Sequence, residues 1–141
     1  MTPDDRRAIE HDVEKVLLRF LHYLDGGEYD RLVALFAPDG VWHRQGKALR
    51  GPAAVREAML ARPPGIVTQH LASNVVVEAV NADYAEATLY LAVFAHNGGA
   101  EAKPPAPMEL PNQVAIYREK LIRSGDDWRI VEITSKQNFK R

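Results

Sequence analysis

Apolar residues recur near the start of the chain at Ile9, Val13, Val16, Leu17, Phe20, Leu21 and Leu24, while His11 and His22 fall on the opposite side of the wheel. That i, i+3, i+4 spacing predicts one long amphipathic helix. Thr2-Pro3-Asp4-Asp5 starts it with a hydroxyl N-cap, a proline at the first helical position and acids facing the positive end of the helix dipole. Gly26-Gly27 stops it, and Tyr29 to Phe36 reads as a short second helix with Leu32, Leu35 and Phe36 inward, closed by Pro38-Asp39-Gly40. Val41 to Arg44 and Lys47 to Leu49 flank Gln45-Gly46 as a short β excursion. Gly51-Pro52 then opens a third helix that runs through Ala61 and breaks at Pro63-Pro64-Gly65.

From Ile66 the pattern changes to strands: His70 to Val80, Tyr84 to His96, Asn112 to Arg123 and Trp128 to Asn138, with turns at Asn81-Ala82-Asp83 and Ser124-Gly125-Asp126-Asp127. Helices first and an antiparallel meander afterwards define an α+β fold, read as one domain over residues 1–141. The segment Asn97 to Pro111 holds two glycines and four prolines, so it is irregular, and its length points to a lid or an oligomer contact. Apolar residues on both faces around Leu89 to Ala95 call for a covering layer on each side, which a homodimer would supply. The alternation contains one conflict. His70, Ala72 and Asn74 share a face with Val76 and Glu78, whereas Val75, Val77 and Ala79 look like the core face, and a β-bulge near Asn74 reconciles the two. By the same alternation His96 shares a face with Glu86, Thr88 and Tyr90.

Composition narrows the function classes. At 141 residues the chain can bury roughly two-thirds of the surface it exposes when unfolded. With no cysteine it has no disulfide, thiolate metal site or cysteine nucleophile, which suits a reducing, cytoplasmic compartment. A net charge of −1 with scattered basic residues argues against nucleic acid as a partner. No apolar run approaches the roughly 20 residues of a membrane span, so neither a signal peptide nor a membrane segment is expected. His43, His70 and His96 lack metal-ligand spacing, and no glycine-rich phosphate loop or dinucleotide fingerprint occurs, so neither metal nor cofactor is expected.

Candidate chemistry begins at Asp25, an acid on the edge of the first helix's apolar stripe, directly before Gly26-Gly27. An ionisable group there costs free energy unless it is paired or reaches water. The run Leu24-Asp25-x-x-x-Tyr29-Asp30-x-Leu32-x-x-Leu35-Phe36-x-x-Asp39-Gly40-Val41-Trp42 is followed by Leu49-Arg50-Gly51, Thr68-Gln69-His70 with Asn74, and a closing Trp128-Arg129-Ile130. Together these resemble the SnoaL-like branch of the nuclear transport factor 2-like superfamily, which includes scytalone dehydratase and bile acid 7α-dehydratase. The resemblance implies a cone: a strongly curved antiparallel sheet around N-terminal helices, enclosing a mostly apolar small-molecule pocket.

It further implies that Asp25 and His70 match the catalytic pair of both dehydratases, and that His96 falls near a second histidine of scytalone dehydratase. An imidazole titrates near neutrality, and an aspartate on one ring nitrogen fixes its tautomer and stabilises the imidazolium. The chain departs from those enzymes where their tyrosines would stand, at Phe20, Leu24 and Arg44. Phe20, Tyr23, Trp42, Arg44 and Asn74 are expected to contact substrate. The resulting expectation is a cofactor-independent dehydratase, isomerase or cyclase acting on a small cyclic apolar molecule. The alternative is a ligand-binding or accessory protein of the same fold without chemistry.

Overall fold

The computed structural model describes residues 1–141. Helix α1 spans Pro3–Gly26 and opens with a reciprocal cap, in which the Asp5 amide donates to Thr2 Oγ1 at 3.0 Å and the Thr2 amide donates to Asp5 Oδ2 at 2.8 Å. It buries Ile9, Val13, Leu17, Phe20, Leu21 and Leu24 and ends on Gly27, whose φ of 69° is the left-handed value that closes a helix. Helix α2 covers only Tyr29–Val33. It stops before Phe36 because the sheet captures the chain there: the Ile130 amide donates to the Leu35 carbonyl at 2.8 Å, and Phe36 pairs with Ile130.

Strand β1 (Phe36–Arg44) turns at Gln45 and Gly46, with φ of 52° and 77°, into β2 (Lys47–Arg50). Two consecutive positive φ values fit the right-handed twist of a two-residue hairpin. Helix α3 (Gly51–Leu60) buries Val55 and Met59. Four long strands follow: β3 (Ile66–Asn81), β4 (Tyr84–Asn97), β5 (Gln113–Ser124) and β6 (Asp127–Lys140). They form one sheet in the order β2-β1-β6-β5-β4-β3, antiparallel throughout except for the β1–β6 pair. The helices pack on one face, and α1 lies against β3 and β6. No helix is long and apolar enough to cross a membrane.

The expected bulge is present in β3. Ser73 pairs with Tyr90 and Val76 with Thr88, so two residues of β3 oppose one of β4, and Asn74 adopts a φ of 53°. The extra residue switches the inward set from Thr68, His70 and Ala72 on one side to Val75, Val77 and Ala79 on the other. Strand parity therefore favours His70 and the apolar residues beyond it at the same time. The opposite face of the sheet leaves Leu71, Tyr90 and Phe139 exposed.

Candidate functional site

The end of α1 and the first half of β3 bring Asp25 and His70 together. His70 Nδ1 lies 2.6 Å from Asp25 Oδ1, and the His70 backbone amide donates to Asp25 Oδ2 at 2.8 Å. The Thr68 hydroxyl donates to Oδ1 at 2.9 Å, and Arg62 Nη2 donates to that hydroxyl at 3.0 Å. Burial alone would raise the Asp25 carboxyl, but the His70 ring and amide and the Thr68 hydroxyl outweigh it and hold the group below its ordinary value. An ionised carboxylate only accepts, so Nδ1 of His70 is the protonated nitrogen facing it, and in the neutral tautomer this selects, the lone pair falls on Nε2. The side chains of His70 and Asp25 are 9% and 21% exposed, which leaves the pair sheltered but reachable.

Arg62 locks this end of the molecule. It follows α3, and its Nη1 donates to the Tyr29 hydroxyl at 3.0 Å and to the Leu24 carbonyl at 3.2 Å. One guanidinium thus ties the C-terminus of α1, the start of α2 and Thr68 near the start of β3 together. Its Nε is buried without a partner. Arg44, the last residue of β1, is half-buried on the same side as Trp42, and its guanidinium carbon sits 5.5 Å from the centre of the Trp42 ring. Burial and then the neighbouring Arg62 charge lower its pKa, and the phenols of Tyr117 and Tyr29 oppose that shift. On β5, burial pushes the Tyr117 phenol up to about 12. One step inward along the same strand face, Glu119 is 2% exposed, its Oε1 has no partner, and burial raises its carboxyl to about 8.

The remaining expected site residues separate. His96 pairs with Val67 while His70 pairs with Val93, and these rungs face opposite sides of the sheet. His96 is therefore not a second proton carrier beside His70; it borders an outer-face cavity of about 370 Å³ together with Val67, Leu71 and Phe94. The irregular segment from Pro104 to Leu110 lines that cavity, on the face of the sheet away from the pair. Asn74 is exposed at the bulge, where its left-handed backbone shapes the strand. Phe20 and Trp42 meet edge to face at 5.1 Å and are core residues, with Arg44 two residues beyond Trp42 on the same strand face. Tyr23 is half-buried against the core.

A second cavity, of about 640 Å³, lies near Arg6, Ile9 and Arg123, away from the pair. No three His, Asp or Glu side chains converge closely enough to hold a metal ion. Thr68, Arg62, Tyr29, Tyr117 and Glu119 were not among the candidates. The alternation of Tyr117, Glu119 and Leu121 carries a signal for the β5 pair, whereas Arg62 beside Pro63-Pro64 has no spacing that points to α1.

The family model described as a SnoaL-like domain matches residues 5–134. Among solved structures, a provisionally named scytalone dehydratase from Novosphingobium aromaticivorans superposes with a TM-score of 0.80 at 14% identity, covering 99% of this chain and 91% of its own. A hexachlorocyclohexane dehydrochlorinase, LinA type 2, gives 0.81 at 18% identity, covering 99% and 92%. The LinA type 3 enzyme from Novosphingobium barchaimii gives 0.78 at 17%, covering 99% and 93%. At these identities the likeness is one of fold. No curated protein matches the chain.

Proposed function

The chain belongs to the SnoaL-like domain family, and from that footing we propose that it is a cofactor-independent lyase or isomerase in which His70 and Asp25 move a proton on a small cyclic molecule. The observation that carries this reading is the two-point hold of Asp25 on His70, through the ring at 2.6 Å and the backbone amide at 2.8 Å. It supports an imidazole of fixed tautomer, with Nε2 as the free base. In the proposed reaction Nε2 removes a proton from carbon next to a carbonyl. The electron pair of that C–H bond forms the enolate, which collapses to a carbon–carbon double bond as a group on the next carbon departs. The imidazolium returns its proton to the leaving oxygen, so water is released and the base is regenerated. Returning the proton to a different carbon gives isomerisation instead. Asp25 stabilises the imidazolium between the two steps, and Arg62 keeps Asp25 in place through Thr68. Two of the structural neighbours are named for the loss of water and of hydrogen chloride, which is the same class of elimination.

The test does not depend on the identity of the natural substrate. Cyclic ketones and cyclic β-hydroxyketones are incubated with the protein in deuterated water, and NMR reads exchange of the α-hydrogens and loss of water. Wild type is expected to accelerate exchange, and His70→Ala and Asp25→Asn to reduce the acceleration by roughly 10²–10⁴-fold. Equal rates for wild type and His70→Ala would remove His70 as the base. Specific binding without any exchange would favour a ligand-binding protein.

A further inference from the structure

Arg44 stands out among the arginines of this chain. Four are half-buried: Arg44, Arg62, Arg123 and Arg129. Arg123 pairs with Asp83 and Arg129 with Asp127, and Arg62 is engaged by Thr68, Tyr29 and the Leu24 carbonyl. Arg44 makes no ion pair and no hydrogen bond; its guanidinium carbon lies over the Trp42 ring, and its N–H donors are unclaimed. A half-buried charge without a counterion costs free energy, and the Arg62 charge beside it increases that cost.

The local charge balance points the same way. Arg44 and Arg62 contribute two positive charges, and Asp25, already committed to His70 and Thr68, contributes one negative charge. Glu119 does not correct the imbalance, because its wholly buried carboxyl is held in the neutral form at pH 7. The hydroxyl of Tyr117, near enough to Arg44 for each to influence the other, makes no hydrogen bond within the protein. Arg44 and the Tyr117 hydroxyl thus leave this side of the fold positively charged and donor-rich without an acceptor, and Arg62 connects it through Thr68 to Asp25.

We propose that the site is built for cyclic substrates carrying a carboxylate, which seats on the donor edge of Arg44 with the Tyr117 hydroxyl as a second donor. This rests on the functional reading above and adds the substrate class to it. A planar guanidinium matches a carboxylate through two parallel hydrogen bonds, and the Trp42 ring lies 5.5 Å from the guanidinium carbon as its cation–π neighbour. The carboxylate then anchors one end of the ring, and the carbon that loses its proton lies toward His70. Arg44 is in this scheme a binding and specificity residue.

Calorimetric titration with 3-oxocyclohexanecarboxylate and its methyl ester tests the proposal, because the two probes differ only in the charge Arg44 would read. The quantity is the ratio of the two affinities on one protein sample, so partial misfolding of a variant does not distort it. Wild type is expected to bind the carboxylate at least about tenfold more tightly. Arg44→Gln should bring the ratio to within about twofold, Arg44→Lys should keep part of the preference, and His70→Ala should keep it in full. Equal affinities in wild type, no measurable binding of the carboxylate, or an undiminished preference in Arg44→Gln would each overturn the proposal. A carboxylate preference without His70-dependent exchange would leave this inference standing and remove the catalytic reading. His70-dependent exchange on the ester without a preference would do the reverse.

Discussion

Glu119→Gln should change how the stability of this protein responds to pH. The carboxyl lies on the core-facing side of β5 between the register partners Ala87 and Ile133, and burial raises it from 4.5 to about 8. Its folded-state value lies above its unfolded value, so between those two values the folded chain keeps a proton that the unfolded chain releases. Stability therefore declines as pH rises through this window, by about 1.4 kcal/mol per unit. Between pH 5 and 7.5 the loss amounts to roughly 3 kcal/mol, a large share of a typical domain's stability. Glutamine has the same shape and does not titrate. Its buried amide costs about 1–3 kcal/mol of its own, but equally at both pH values. Urea unfolding of wild type and variant at pH 5 and pH 7.5 isolates the effect: the stability of the variant relative to wild type should improve by about 3 kcal/mol across the interval. Parallel profiles would refute the reasoning, because they would mean that the carboxyl ionises without penalty through a partner or through water.

Asp25 has the opposite sign. Held below its ordinary value by His70 and Thr68, it contributes stability above about pH 4 that is lost as pH falls through its folded value. The advantage of wild type over Asp25→Asn in urea unfolding should shrink between pH 5 and pH 3, and a constant gap would contradict the hydrogen-bonded hold. At the bulge, Asn74 has a φ of 53°, so Asn74→Ala should cost about 1–2 kcal/mol while Asn74→Gly changes stability by a few tenths. Equal thermal midpoints for the two variants would argue against a left-handed residue there.

The elements legible in the sequence are those that local chemistry specifies. Thr2-Pro3-Asp4-Asp5 carries its own cap, and Gln45-Gly46 tolerates the two positive φ values of a tight hairpin. The clash of parity between His70 and Val75 reveals the bulge, because a strand can face both toward a core only by gaining a residue. His96 shows the cost of setting the same rule aside. Its alternation with Glu86, Thr88 and Tyr90 places it outside, whereas its position at the end of the strand suggests the site. The early end of α2 depends on a carbonyl of Leu35 that meets β6, a partner far along the chain. Arg62 and Thr68 are similar: each looks like an ordinary polar residue of a turn or strand until folding brings α1 beside them. Glu119 is concealed by its neighbours, since Arg118-Glu119-Lys120 has the composition of a solvated run and only Tyr117 and Leu121 on either side mark its face as buried.

The sheet order has a consequence for how the protein comes into being. Strand β6 lies between β1 and β5, so Trp42 finds its rung partner Ile133 only after nearly the whole chain has been made. During vectorial synthesis the helices and the β1–β2 hairpin emerge first with an open apolar flank, and β3, β4 and β5 can zip together behind them as a separate meander. The last strand joins the two halves, and it does so through the one parallel pairing in the sheet, which no short turn can template. The nascent chain is thus most exposed to mispairing in the interval before its final strand clears the ribosome.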